Sequence, residues 1–299
     1  MSLSSWAKFW YMGLVWGATF LWLKVGIREM PPISLNAVRL VAAMLALFII
    51  LRLTKTKLRF RECWRSYFFL GVFNIALPFV LITISEHNIT SGMASILNST
   101  VPFFTMILIP FFVPEEAWTL PKMIGLVVGF AGVVILAYHP VDGGSGFQWG
   151  ALLVLLASVS YAVAAIFARR VTYGVEPAAL AFGQSIFANL VLWPTALLFE
   201  GSIQLPVQTM TWVSILWLGI MATAIGTFFF YSLINTVGAT RTTLTTYIFP
   251  LVGVLLGVLI LNEALSWRLL AGGALIIAGV AIVNSKIRLV LKPQKASRL

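Results

Sequence analysis

The chain has 299 residues, 60% of them hydrophobic and only 10% Asp, Glu, Lys or Arg, with a formal net charge of +11. A soluble domain is about 45–50% apolar and about 25% charged. A mean hydropathy of +0.99 therefore excludes a soluble enzyme, a nucleic-acid-binding domain and a disordered chain, and makes lipid the solvent for most of the sequence.

A helix needs about 20 apolar residues to cross a bilayer core. Ten such runs are predicted, at roughly 7–27, 33–53, 66–86, 90–112, 119–138, 147–168, 178–199, 211–234, 238–261 and 267–286. The first holds Trp16 and Phe20, has Lys8 ahead of it and lacks a small-residue cleavage site, so it reads as a retained helix and not a signal peptide. The second holds Arg39, the one charge well inside a span, about six residues or 9 Å from its outer end. The third carries Asn74, Pro78 and Ser85 on one face, with Phe79 beside them and Glu86 at its outer end. The fourth has a stripe of Ser91, Ser95, Asn98, Pro102 and Thr105, whose steps of 4, 3, 4 and 3 fall on one helical face. The fifth and tenth are rich in glycine, which suits helix packing. The sixth holds Tyr161, and the eighth holds Gly226, matched to Pro78 of the third. The ninth repeats the stripe of the fourth with Ala239, Thr243, Thr246, Pro250 and Gly253, and Tyr247 lies beside it. The tail after Lys286 is polar and expected to be loosely ordered.

Charge tests the count. With the N-terminus inside, sixteen basic residues fall on inner segments, from Lys8 through the Arg52–Arg65 loop to the C-terminal Lys286–Arg298 tail. Only Lys24, Arg28 and Arg268 fall on outer ones. That bias supports ten spans with both termini in the cytoplasm, and it puts the single cysteine, Cys63, in the reducing compartment. His87 and His139 are far apart and no metal cluster is visible. No phosphate-binding GK[ST] motif occurs, so energy for any work comes from a gradient or a partner. No cofactor is implied.

The halves resemble each other. At an offset of 145, Trp16 meets Tyr161, Pro32 meets Pro177 and Arg39 meets Gln184; at 148, Gly71 meets Gly219 and Pro102 meets Pro250; at 147, Glu116-Ala117 meets Glu263-Ala264. Residues 1–142 and 147–299 thus read as two five-helix halves of one membrane domain. Five is odd, so the second half enters the membrane from the opposite side, an inverted repeat of the kind found in many secondary transporters.

The Trp16-Gly17-Ala18-Thr19-Phe20 run, the two prolines and the two Glu-Ala pairs, in this order over the whole chain, resemble the EamA-type branch of the drug/metabolite transporter superfamily. The resemblance implies a proton-motive or gradient-driven carrier, often an exporter of amino acids or related metabolites, and the aromatic content leans toward the aromatic amino-acid exporters.

The residues point the same way. Pro102 and Pro250 each remove a backbone donor and free the carbonyls of Asn98 and Thr246, and interrupted spans at matched places in two halves mark a binding site. Substrate contacts are expected from Trp16, Phe20, Asn74, Phe79, Ser95, Asn98, Tyr161, Thr243, Thr246 and Tyr247. Arg39, Pro78, Glu86, Pro102, Gly226 and Pro250 are expected to gate or hinge. Against this, single Ser and Thr residues serve as helix glue, aromatic residues pack helices or face lipid, and Arg39 has three readings: holding a substrate carboxylate, pairing with Glu86 as an outer gate, or snorkelling to the interface. Every acidic residue lies at a span end or in a loop, unlike a proton-coupled exporter of lipophilic cations. Too few basic groups face the core for a phosphate carrier. No clustered nucleophile or acid–base pair marks an enzyme. The expectation is a monomeric, multi-pass carrier of the bacterial inner membrane, contacting lipid but no nucleic acid, that exports neutral, hydrophobic or aromatic amino acids and related small metabolites by alternating access, with facilitated diffusion down the substrate gradient as one mode. A proton-coupled drug exporter and a non-transport scaffold are the alternatives.

Overall fold

The computed structural model describes residues 2–112, 120–137, 148–171, 174–237, 242 and 244–283. These residues form helices α1 (Leu3–Gly17), α2 (Thr19–Gly26), α3 (Pro32–Leu53), α4 (Phe60–Leu70), α5 (Leu77–Ser85), α6 (Ser91–Asn98), α7 (Val101–Phe112), α8 (Leu120–Ala137), α9 (Trp149–Val171), α10 (Pro177–Phe199), α11 (Thr209–Leu216), α12 (Gly226–Val237), α13 (Ile248–Leu261) and α14 (Trp267–Val283). Two π-helical segments, Gly71–Ala76 and Trp217–Ile225, join α4 to α5 and α11 to α12, and a 3₁₀ turn, Leu244–Tyr247, leads into α13. There is no strand among the described residues.

Among the described residues, seven stretches are long and apolar enough to cross a membrane: Pro32–Leu53, Phe60–Ser85, Ser91–Phe112, Leu120–Ala137, Trp149–Arg169, Pro177–Phe199 and Thr209–Val237. Thr245–Leu261 and Trp267–Ile282 are shorter apolar helices. They correspond to the last two predicted runs, which are cut short where the described residues begin and end. The first predicted run is divided at Ala18 into α1 and α2. Large apolar side chains such as Leu45, Phe111, Val127, Leu198, Phe199 and Leu259 stand exposed around the outside. Only lipid makes such a surface stable, because it contacts apolar side chains at no cost and leaves the helix to satisfy its own backbone.

The interior has two apolar clusters. One gathers Phe20, Leu23, Leu35, Leu97, Phe103 and Ile276. The other gathers Leu40, Leu47, Tyr67, Leu70 and Tyr231 around α3, α4 and α10. The glycine-rich helices do what their composition implies: α8 and α14 pack backbone to backbone. A Cβ at Gly132 would sit 2.5 Å from the carbonyl oxygen of Gly272, and one at Gly279 would sit 2.5 Å from that of Gly125. Glycines 13 and 17 likewise admit Ile248 and Val252 of α13, and Gly253 admits Ser95 of α6. The glycines spaced four apart at 13/17, 125/129 and 253/257 thus serve contacts within one chain. Close backbone approach increases van der Waals contact where no hydrophobic force acts between helices.

Carboxylates tie helix starts together at one end of the bundle. Glu200 accepts from the Ile33 and Ser34 N–H groups (2.8 and 2.7 Å) at the start of α3. Glu263 accepts from Ser91 N–H (2.8 Å) and Gly92 N–H (3.2 Å) at the start of α6. Glu29 accepts from Gln208 N–H (3.2 Å) ahead of α11; hydrogen bonds from the Thr211 side chain and then from the Val207 and Gln208 N–H groups hold its carboxyl below the usual range. Each carboxylate satisfies N–H groups that have no partner within the helix, and its charge complements the positive end of the helix dipole.

The α8–α14 contact leaves no room for a side chain. Gly279→Val should destabilise the purified protein by about 1–3 kcal/mol or more, seen as a lower melting temperature in detergent. Val127→Ala on the exposed face of α8 should leave it nearly unchanged.

Candidate functional site

A cavity of about 1080 Å³, counted with the open space at its mouth, lies between α1, α2, α3, α5, α6, α7, α9, α12, α13, the 3₁₀ turn before α13 and the π-helical segments. Its wall is mostly apolar and aromatic, from Trp16, Phe20, Phe79, Tyr161, Phe230 and Phe249, with Arg39, Asn74, Asn98, Thr223, Thr227, Thr245 and Thr246 as polar members.

Apart from Arg39, which projects from the unbroken α3, the polar members stand at or beside helix breaks. Pro78, at the start of α5, has no N–H, so an α-helical bond to Asn74 is impossible. The six residues before α5 are wound as a π-helix, and Leu77 N–H bonds the carbonyl of Val72, five residues back. This leaves the Phe73 carbonyl free, and the Ser160 hydroxyl donates to it at 2.7 Å. The second π segment repeats the arrangement. Gly226 N–H bonds the carbonyls of Met221 and Thr223, and the freed Ala222 carbonyl takes the Trp16 indole N–H at 2.8 Å. Trp16 fits there because residue 226 has no Cβ: one would lie 2.6 Å from the indole nitrogen. Gly226 thus makes room for an aromatic wall residue and ends a π-helix. The hinge residues predicted in the third and eighth runs, Pro78 and Gly226, bound the two π segments.

The fourth run breaks where its proline frees a carbonyl. Helix α6 ends at Asn98, a turn at Ser99 and Thr100 follows, and Pro102 lies in the first turn of α7. The Asn98 side chain reaches the cavity, and its Oδ1 is buried without a hydrogen-bond partner. Thr246 lies in the 3₁₀ turn before α13, also on the wall, and Pro250 is buried within the first turn of α13.

The predicted stripe does not act as one face. Ser95 lies outside the cavity wall; its hydroxyl donates to the Gly92 carbonyl at 2.7 Å and it packs on Gly253. Ser91 is tied to Glu263. Within α6 itself the side toward α13 and Glu263 takes Ser91 and Ser95 into packing, and only Asn98 at the helix end reaches the cavity. Tyr247 is also outside the wall, its hydroxyl donating to the Val280 carbonyl of α14 at 2.8 Å. Thr243 lies outside the described residues.

Arg39 and Glu86, for which one reading is an ion pair at an outer gate, are not paired in this structure. Arg39 is 2% exposed, which also rules out snorkelling. Its guanidinium lies over the Phe79 ring, 3.9 Å from the centroid, and donates to the Thr223 hydroxyl at 3.3 Å. Glu86 is fully buried and pairs with Lys24 at 4.0 Å. The Lys24 ammonium also donates to the carbonyls of Glu86 and Ile89. Lys24, at the far end of the first predicted run, competes for the carboxylate from closer range, and sequence spacing alone could not reveal that.

Several wall residues were missed. Thr223, Thr227 and Phe230 belong to the eighth run, read only for Gly226, and Phe249 stands one residue before Pro250. The π-helical winding adds a residue per turn and rotates Thr223 relative to an α-helical pattern. Beneath the wall Asn74 donates to Gln184 at 3.1 Å and the Tyr231 hydroxyl donates to Gln184 at 2.9 Å, a buried knot across three helices.

An all-helical, lipid-facing bundle around a cavity at paired helix breaks is the build of a membrane transporter. The EamA-like transporter family model matches this sequence twice, over residues 8–138 and 148–285, and the chain belongs to that family, a family of transporters and not of enzymes. It is 28% identical over 286 residues to an uncharacterized inner membrane transporter, YedA, of Escherichia coli K12, covering 94% of this chain and 90% of that protein. It is 28% identical over 278 residues to a probable amino-acid metabolite efflux pump of Salmonella typhimurium, covering 90% and 91%. An uncharacterized transporter of Archaeoglobus fulgidus is 27% identical over 272 residues, covering 91% and 95%. A protein of known crystal structure shares the fold at a TM-score of 0.68 and 20% identity, covering 95% of this chain and 97% of that one.

Two predictions follow from these contacts. Lys24→Met leaves the Glu86 carboxylate buried and unpaired and should cost about 3 kcal/mol, while the double variant with Glu86→Leu should recover most of the loss, read by thermal unfolding in detergent. Gly226→Ala should destabilise the protein by crowding the indole of Trp16, and much less so when Trp16→Phe is already present. The coupling expected from a double-mutant cycle is about 0.5–3 kcal/mol.

Proposed function

We propose that this chain is a ten-span carrier of two inverted five-helix halves, residues 1–142 and 147–299, in the bacterial inner membrane with both termini in the cytoplasm, and that it exports neutral, hydrophobic or aromatic amino acids and related metabolites by alternating access. The observation that carries the reading is the cavity itself. It is an aromatic-walled space whose polar groups, Arg39 apart, sit at or beside helix breaks, with Asn98 and Thr246 at the proline-linked breaks of the two halves. Hydroxyls, amides and aromatic faces suit a small amphipathic molecule. The inverted arrangement is supported by the double family match and by the two π segments, each with one freed carbonyl held by a side chain of the other half. The amino-acid cargo is supported by the Salmonella relative described as a probable amino-acid metabolite efflux pump. The sixteen-to-three distribution of basic residues supports the orientation.

Within this reading Trp16, Phe20, Asn74, Phe79, Asn98, Tyr161 and Thr246 contact the substrate, and Pro78, Pro102, Gly226 and Pro250 mark the levels at which helices bend. No acidic side chain lines the cavity among the described residues, which favours movement down the substrate gradient over proton exchange in the cavity. The carrier works as a monomer surrounded by lipid.

Purified protein in liposomes should take up labelled phenylalanine or tryptophan saturably, with and without an imposed proton gradient. Trp16→Ala and Asn98→Ala should each lower the rate at least about tenfold if each removes a contact worth more than 1.4 kcal/mol. Transport of a cationic dye with no amino-acid uptake would promote the drug-exporter alternative, and no transport at all would promote the scaffold.

A further inference from the structure

Arg39 is the only charged residue lining the cavity among the described residues, and no acidic side chain among them pairs with it. It is 2% exposed. Its one hydrogen bond runs to the neutral Thr223 hydroxyl at 3.3 Å, and its Nε is buried without a partner. The ion pairs among the described residues, Lys24–Glu86 and Arg59–Glu62, do not include it. A buried cation ordinarily has a counter-charge. The Phe79 ring covers one face of the guanidinium, which offsets part of the cost but leaves the N–H groups in the plane unanswered. A guanidinium presents five such donors in a fixed fork that matches a carboxylate.

The position is built. Thr223 sits in the second π segment, and its hydroxyl donates to the Leu218 carbonyl at 2.7 Å, which turns its lone pairs toward Arg39. Gly219 of the same segment lies against the backbone carbonyl of Arg39, an approach that a side chain there would block. The guanidinium is therefore held between Phe79 on one helix and Thr223 on another, at the cavity wall.

We propose that Arg39, held by Thr223 and Phe79, is the anion subsite of the cavity, and that the ligand places a carboxylate there and lays its apolar body along Trp16, Phe230 and Phe249. This rests on the proposed transport of amino acids and narrows it: the carboxylate is required, whereas no fixed negative charge waits for the ammonium. Acids that lack the amine bind, and amines that lack the acid do not. The same geometry excludes lipophilic cations, which would meet Arg39 with no acidic side chain on the wall to attract them.

The test is ligand-induced thermal stabilisation of the purified protein in detergent, with L-phenylalanine, 3-phenylpropanoate, phenethylamine and L-phenylalaninamide as probes. Phenylalanine and 3-phenylpropanoate should stabilise the protein, and the two compounds without a carboxylate should bind about tenfold more weakly or worse. Arg39→Gln should abolish the distinction, and Arg39→Lys should restore part of it. If Arg39→Gln fails to fold, the four-compound comparison on the unaltered protein and the milder Thr223→Val variant carry the test. Stabilisation by phenethylamine equal to that by phenylalanine, undiminished carboxylate binding in Arg39→Gln, or no response to either carboxylate would overturn the subsite. Transport in liposomes separates the two readings. Arg39-dependent carboxylate binding without transport leaves the subsite standing and removes the exporter. Phenylalanine transport unchanged in Arg39→Gln does the reverse.

Discussion

Inside a hydrocarbon layer every backbone N–H and C=O must find its partner within the protein, and in this chain that requirement decides where anything can happen. Along most of each helix the ladder satisfies itself and the side chains meet lipid or one another. Where a proline removes a donor or a π turn shifts the register, carbonyls are released, and each release has to be answered. The Trp16 indole answers at Ala222 and the Ser160 hydroxyl answers at Phe73. The breaks therefore draw polar and aromatic side chains to one depth, and the cavity lies where they gather.

The same requirement shapes the helix starts. N-terminal N–H groups near the membrane surface have no ladder partner, and in α3 and α6 they are met by carboxylates from distant parts of the chain, Glu200 and Glu263. These bonds connect residues 167 and 172 positions apart, so they hold the two halves together at one end while capping individual helices. Glu29, accepting from Val207 and Gln208, adds a third tie between the halves, while Lys24 links α2 to the carbonyls after α5 within the first half. By contrast the cavity is walled by aromatic contacts and single hydrogen bonds.

Some of the site was legible in the residues. Proline is a readable break because its missing N–H is a property of the residue itself, so Asn98 and Thr246 could be placed near the cavity from Pro102 and Pro250. Trp16 and Tyr161 were legible because the repeat aligns them. The Glu-Ala pair was visible as a repeat feature, but its purpose was not. Glu263 caps α6 because Asn262 adopts a left-handed conformation (φ 55°) that ends α13 and turns the chain back, while its counterpart Glu116 lies outside the described residues. Ser95 and Tyr247 were misread for one reason. A helical face shows which residues share a side but not what that side meets, and here Ser95 meets Gly253 of α13 and Tyr247 meets Val280 of α14.

Composition, the spacing of apolar runs and the repeat were enough to determine a helical membrane protein of the transporter type, because these depend on the lipid solvent and on local backbone chemistry. Which of two acidic or basic groups pairs with which, how far a π turn rotates Thr223, and whether Arg39 meets a carboxylate, an aromatic ring or solvent were decided only in three dimensions. Those outcomes depend on differences of a few ångströms between helices far apart in sequence. Arg39 shows the division. The sequence placed a charge within a span, and the tertiary structure put Phe79 and Thr223 around it, with Glu86 held elsewhere by Lys24.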